Sequence, residues 1–173
     1  FRKLCAASCG SPPARTQGTT LTGGGVMGRC GSNNPNDHTA VAGPSLEALG
    51  VTTFVDLTPP ADPLPRYDDV LRRAQRISHP IVDMATPGLR QMERILDDLD
   101  AALAGDGLTY VHCWGGIGRT GTVIGCWLVR HGLDEGDAIS RIAQLRRLAL
   151  DSSMPSPQTT AAPRTRPRRS KRP

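Results

Sequence analysis

Apolar positions along this chain change their spacing several times, and each change marks an element. Val51 to Leu57, VTTFVDL, is β-branched and apolar and reads as a buried strand. Ahead of it, Leu46 to Leu49 predict a short helix, capped by Ser45 and closed by Gly50. Pro59, Pro60, Pro63 and Pro65 make the next stretch a loop, after which Tyr67, Val70, Leu71 and Ala74 fall at helical spacing. Arg76 to Val82 reads as a second strand, where Pro80 suits an edge or a strand end. The clearest period is Leu89, Met92, Leu96, Leu99 and Leu103, with Ile95 beside them. That stripe predicts a core-facing helix capped by Thr86, entered through Pro87 and left at Gly105, with Asp97, Asp98 and Asp100 on a solvated face. Leu108 to His112 is the third strand, and Thr120 to His131 a largely apolar helix ended by Gly132. Asp134 caps a last helix that turns Ile139, Ile142, Leu145 and Leu148 inward.

Strands alternating with helices in this order predict an α/β domain, a mainly parallel central sheet flanked by helices. The pattern places that domain at residues 44–150. Residues 1–43 hold Gly, Pro and small polar residues without a period and read as a disordered lead-in; residues 151–173 pass from Ser/Pro to an Arg/Pro-rich tail, also read as disordered.

Composition adjusts this picture. Aromatic residues are only 3%, so the core must be built mostly from Leu, Ile, Val and Ala. The net charge of +5 is local: Arg164, Arg166, Arg168, Arg169, Lys171 and Arg172 have no acid among them, and the rest of the chain is near neutral. A solvated tail is the plain reading of that run, and weak binding to RNA or another anionic surface the sharper one. Residues 1–36 lack acids, as organellar leaders do, but their Gly/Pro content and missing period favour the disordered lead-in. Five cysteines at irregular spacing make no disulfide framework and place the chain in a reducing, cytoplasmic compartment. Cys5, Cys9, Cys30 and His38 fit no standard zinc spacing, so no metal or cofactor is expected. No apolar run approaches the length of a membrane span. A monomer is assumed.

The chemistry gathers between the third strand and the helix after it, in His112-Cys113-Trp114-Gly115-Gly116-Ile117-Gly118-Arg119-Thr120-Gly121. In an open α/β sheet, ligands bind where strands end and helices begin. Three glycines let the backbone curl and aim several N–H groups at one point, and the helix adds its positive end. Arg119 supplies a planar fork for two oxygens of a tetrahedral anion. The same field favours the thiolate of Cys113, the form that attacks.

These residues carry a resemblance. His112-Cys113-x-x-Gly116-x-x-Arg119-Thr120-Gly121 resembles the signature of the cysteine-dependent protein tyrosine phosphatases. Order and size point to the dual-specificity branch, with a loop similar to that of small bacterial and plant-type members. The resemblance implies a protein tyrosine phosphatase-like fold and phosphotyrosine hydrolysis, extending to phosphoserine/threonine, through a phosphocysteine intermediate without a cofactor. It makes Cys113 the nucleophile and residues 114–119 the phosphate-binding loop, with a phosphoprotein as substrate. The branch carries its general acid roughly thirty residues before the cysteine, which selects Asp83; Asp56, at the end of the first strand, is the rival. His112 orders the loop. Thr120 either bonds the Cys113 sulfur or the helix backbone, and Trp114 either walls the pocket or packs. Cys126 reads as inert core. Ser156-Pro157-Gln158-Thr159 matches the start of a segment common in relatives, then breaks into Arg/Pro sequence.

Other functions stay open on these residues. One is a phosphoprotein-binding module with weak or no turnover. Another is a phosphatase for RNA 5′-triphosphates or phosphoinositides, against which the absence of lysine at 114, 115, 117 and 118 counts mildly.

Overall fold

A computed structural model describes residues 4–7, 39–62 and 66–146 of the chain. They form strands β1 (Leu4–Ala7), β2 (Val51–Asp56), β3 (Gln75–Ser78) and β4 (Leu108–His112), and helices α1 (Thr39–Ala48), α2 (Leu89–Ala104), α3 (Arg119–Arg130) and α4 (Glu135–Arg146). The sheet order is β1-β4-β2-β3, with every pairing parallel. Parallel neighbours need crossover connections: α1 precedes β2 and α2 leads from β3 to β4, α3 and α4 follow β4, and the segment between β2 and β3 holds only a 3-10 turn. This is the α/β architecture expected from the alternation of patterns.

Side chains that alternate across the strands build two cores. Val55 of β2 and Val111 of β4 face one way, into a layer with Ile95, Leu96 and Leu99 of α2, Val123, Ile124, Trp127 and Leu128 of α3, and Ala138 and Ile142 of α4. Phe54 and Tyr110 face the other way, against Tyr67 and the flank of α1 at Leu46. An irregularity in pairing between Val51 and Thr53 lets Val51 join this second layer. Each fully buried aliphatic side chain contributes roughly 1.5–3 kcal/mol, so both layers are needed to hold the sheet.

The strand ends are in register. Asp56 lies opposite both Ser78 and His112, and His112 lies opposite Ala7. The loops at 57–62, 79–88 and 113–118 therefore leave one edge side by side.

Several boundaries differ from those read off the pattern. The lead-in, expected to lack order, contributes β1, because β4 offers a second edge and Leu-Cys-Ala-Ala is just long enough to pair with it. Helix α1 starts at Thr39 rather than Ser45 and runs through Pro44. The helical spacing of Tyr67, Val70, Leu71 and Ala74 yields only a 3-10 turn at Asp68–Val70, since Tyr67 is drawn into the smaller core while Val70 faces solvent. Strand β3 stops at Ser78, ahead of Pro80, which has no N–H to pair. Gly88, not Thr86, is the N-cap of α2.

Two inward stripes are shorter at their first positions than their spacing predicts. Leu89 is 85% exposed in the first turn of α2, and Ile139 lies on the outer side of α4. Conversely, the acidic side of α2 is not merely solvated. Asp100 accepts hydrogen bonds from Trp127 Nε1 (2.7 Å) and pairs with His131 Nε2 (2.8 Å), Asp97 pairs with Arg130, and Asp98 with His79. These contacts staple α2 to α3 and to the residue after β3. Asp134 caps α4 as expected, its Oδ1 accepting from the Asp137 N–H at 2.7 Å. The tail, Leu148 and the side chains of Cys5, Cys9, Cys30 and His38 lie outside the described residues.

Candidate active site

Strand β4 ends at His112, and α3 begins at Arg119. Between them, residues 113–118 form one tight loop around the Cys113 side chain, which is buried at the floor. Gly116 makes the curl possible. Its φ of 64° is the left-handed conformation that side chains rarely adopt, and its N–H donates to Cys113 Sγ at 3.1 Å. A donor aimed into the loop and the positive end of α3 beside it both favour a bound anion. Trp114 stands at the rim, 42% exposed, rather than packing into the core.

Arg119 is only 2% exposed and touches two neighbouring loops. Its Nη1 donates to Asp62 Oδ2 at 2.6 Å and to the Ile81 carbonyl at 3.2 Å; its Nη2 lies 3.2 Å from Asp83 Oδ1. Nε is buried and has no hydrogen-bond partner among the described residues. Asp62 escaped the sequence reading, although one signal was present: it is the only acid between β2 and Tyr67, on a loop leaving the same sheet edge.

The two rival carboxylates have different surroundings. Asp83 follows Ile81 and Val82 out of the sheet edge; its side chain is 58% exposed and meets Arg119 alone among the described ion pairs. The next residue, Met84, has φ 59°, and the Ala85 N–H closes the turn onto the Val82 carbonyl. Asp56 is buried. Its Oδ1 accepts from the Thr58 N–H (2.8 Å) and Thr58 Oγ1 (2.6 Å), and its Oδ2 from Arg76 Nε (2.8 Å). Burial opposes its charge, but His112, Thr58 and Arg76 outweigh that and hold the carboxyl below the ordinary range. With both oxygens engaged and no proton at neutral pH, Asp56 is a structural anion.

His112 links this anion to the loop. Complete burial pushes its imidazole below the usual value, so it is neutral at pH 7. Burial also pushes the Tyr67 phenol up, so Tyr67 keeps its proton and donates it to His112 Nε2 at 2.6 Å. His112 Nδ1 then carries the ring proton and faces the Cys113 backbone without completing a well-aligned hydrogen bond. Arg76 lies over the Tyr67 ring, 5.5 Å from its centroid. Thr120 Oγ1 is buried and bonds neither the Cys113 sulfur nor the helix backbone; the first-turn back-bond is made instead by Thr122, to the Gly118 carbonyl at 3.0 Å. Cys126, half-buried in α3, has its thiol pushed up by burial, as an unreactive packing residue should.

The Asp56 network predicts a stability effect. Asp56→Ala removes the acceptor of Arg76 Nε and of both Thr58 donors in a buried site, leaving Arg76 only its contact with the half-exposed Asp68, and is expected to cost about 3 kcal/mol, read from chemical denaturation. The pH dependence has one sign. Asp56 titrates lower when folded, so its contribution is complete above the ordinary aspartate value of 3.8 and is lost as pH falls below it. His112, also lowered, starts to work against folding as pH drops below 6.5, because the unfolded chain then takes up a proton that the folded one does not. An acid-denaturation curve for Asp56→Ala that coincides with that of the wild type would contradict this assignment.

Among the described residues no helix is long and apolar enough to cross a membrane. Residues 29–172 match the family described as "Swiss Army Knife protein, DSP-PTPase phosphatase domain". Cyclin-dependent kinase inhibitor 3 of Rattus norvegicus is 37% identical over 51 residues, which is 30% of this chain and about a quarter of that protein, 24%. Among solved structures, the active form of Tk-PTP is similar with a TM-score of 0.51 and 27% identity, covering 59% of this chain and 69% of that one. Human DUSP28 gives 0.52 and 26%, covering 64% and 75%. Kinase associated phosphatase, solved with its catalytic-site cysteine replaced by serine, gives 0.59 over 83% and 74% of the two chains; at 20% identity it speaks to fold alone.

Proposed function

Because the chain belongs to the DSP-PTPase phosphatase domain family, we propose that it hydrolyses phosphotyrosine, and phosphoserine/threonine as well, in phosphoprotein substrates through a phosphocysteine. The observation that carries this reading is Arg119, which stands between the Cys113 loop and Asp83 with its Nη2 3.2 Å from that carboxylate. Nucleophile, anion clamp and a solvent-facing acid thus share one edge of the sheet.

Chemically, the substrate phosphate takes the backbone N–H groups of the loop and the Arg119 fork. Cys113 Sγ attacks phosphorus, an S–P bond forms and the P–O bond to the leaving group breaks. Protonated Asp83 gives its proton to the departing oxygen. Asp83, now a carboxylate, takes a proton from water as that water attacks phosphorus. The S–P bond breaks, and phosphate and the Cys113 thiolate are released. The loop positions 114, 115, 117 and 118 carry no cation, and Trp114 puts an aromatic face at the rim; both suit one phosphate on an aryl group better than a multiply phosphorylated ligand.

Hydrolysis of p-nitrophenyl phosphate and of phosphotyrosine and phosphoserine peptides in EDTA tests the reading. Asp83→Asn is expected to lower turnover of a phosphotyrosine peptide by on the order of 100-fold, and that of p-nitrophenyl phosphate, whose leaving group needs little protonation, by much less. Equal activity of Asp83→Asn and wild type on the peptide removes Asp83 as the acid. A wild type that binds phosphopeptide but never turns it over is a binding module instead.

A further inference from the structure

We propose that Asp62 is a positioning residue for Arg119, turning one edge of the guanidinium toward the phosphate; the inference rests on the phosphatase reading above. A guanidinium has two edges that matter here. Nη1 is occupied twice, by Asp62 Oδ2 at 2.6 Å and by the Ile81 carbonyl at 3.2 Å. Nε and Nη2 form the opposite, side-on fork. Among the described residues Nε is buried with no partner, and Nη2 meets the exposed Asp83 at the longer distance of 3.2 Å. That fork is the part of Arg119 left for two oxygens of a tetrahedral anion. An arginine held on one nitrogen cannot rotate its plane without breaking a short, charge-assisted bond, so Asp62 sets which edge faces the substrate.

Asp62 is itself held. Its side chain is 13% exposed, and its N–H donates to the Pro59 carbonyl at 3.0 Å, closing a turn stiffened by Pro59 and Pro60. That turn follows Thr58, whose N–H and hydroxyl both donate to buried Asp56, while the Leu57 N–H is bonded to the His112 carbonyl at 2.9 Å. The strand end, the proline turn and the arginine thus form one supported chain of contacts. When the phosphate takes the Nε–Nη2 edge, Asp83 gives up Arg119 and is free to face the leaving oxygen, whereas Asp62 stays on Nη1.

The test compares wild type, Asp62→Ala and Asp62→Asn, which keeps an oxygen acceptor for Nη1. Calorimetric titration with inorganic phosphate, kcat and KM on p-nitrophenyl phosphate, and thermal midpoints are read for each. Asp62→Ala is expected to bind phosphate about tenfold more weakly, with a rise in KM and a fall in kcat. Asp62→Asn is expected to regain most of both, and the midpoints of the two variants should lie close together. Phosphate affinity in Asp62→Ala equal to or tighter than wild type overturns the proposal, as does equal damage in both variants. If alanine prevents folding, the asparagine variant decides: near-wild-type affinity with the KM kept supports the role, and a tenfold loss overturns it. A wild type that binds phosphate without hydrolysing substrates defeats the phosphatase reading alone, because the affinity comparison still judges Asp62. A wild type that binds no phosphate overturns both.

Discussion

Cys113→Ser is expected to reduce turnover of an aryl phosphate by on the order of 10^5-fold while leaving phosphate affinity and thermal stability close to wild type. The sulfur lies buried at the floor of the loop with the Gly116 N–H 3.1 Å away and α3 starting beyond it. A hydroxyl is a far weaker acid than a thiol, so a serine in the same place keeps its proton at neutral pH, and no described side chain is placed to remove it. His112, the nearest base in sequence, accepts from Tyr67 on Nε2 and turns Nδ1 to the backbone. Serine matches cysteine in shape within a few tenths of an ångström, so the loop should still hold phosphate. Single-turnover assays with acid quenching provide the check: label from a phosphate-labelled substrate should stay on the wild-type protein and be absent from Cys113→Ser. Turnover retained within tenfold would place the nucleophile elsewhere.

The second large effect is expected at Arg119. Arg119→Lys keeps the charge but loses the fork, and kcat/KM is expected to fall on the order of 10^3-fold. An ammonium can satisfy Asp62 or a phosphate oxygen, not both together with the Ile81 carbonyl, whereas the guanidinium spans Asp62, Ile81 and Asp83 at once. The loss should appear in kcat as well as KM, since charge on the phosphoryl oxygens is redistributed in the transition state. Steady-state kinetics on p-nitrophenyl phosphate, with thermal midpoints as a folding control, would show this. A lysine variant with kcat unchanged would mean that Arg119 only binds substrate.

Legibility in the sequence followed locality. The loop from His112 to Gly121 could be read directly because its parts are consecutive: glycines that curl the backbone, a cysteine at a strand end and an arginine at a helix start. The strands at 51–56 and 108–112 and the helix at 89–104 were equally plain, because a repeated period survives small errors at the ends. Asp62 was not, for it lies 57 residues from the arginine it holds, inside a proline-rich loop that has no period. Asp97, Asp98 and Asp100 looked solvated because a helix pattern shows which side is polar, not which cation packs against it. Strand β1 was missed for a related reason, since four residues are too few to show alternation.

By itself, then, the sequence determined the alternation of strand and helix, the apolar strands and stripes of the core, and the make-up of the glycine-rich loop from His112 to Gly121, because each follows from neighbours along the chain. Tertiary structure decided the rest. The register that sets Asp56 beside His112 and Ser78 brings three loops to one edge, makes Asp56 a buried structural anion rather than an acid, and leaves Asp83 open to solvent. It also gives Arg119 its second carboxylate. A carboxylate's role depends on what surrounds it in space, through burial and the donors within reach, and those are set by the pairing of distant strands.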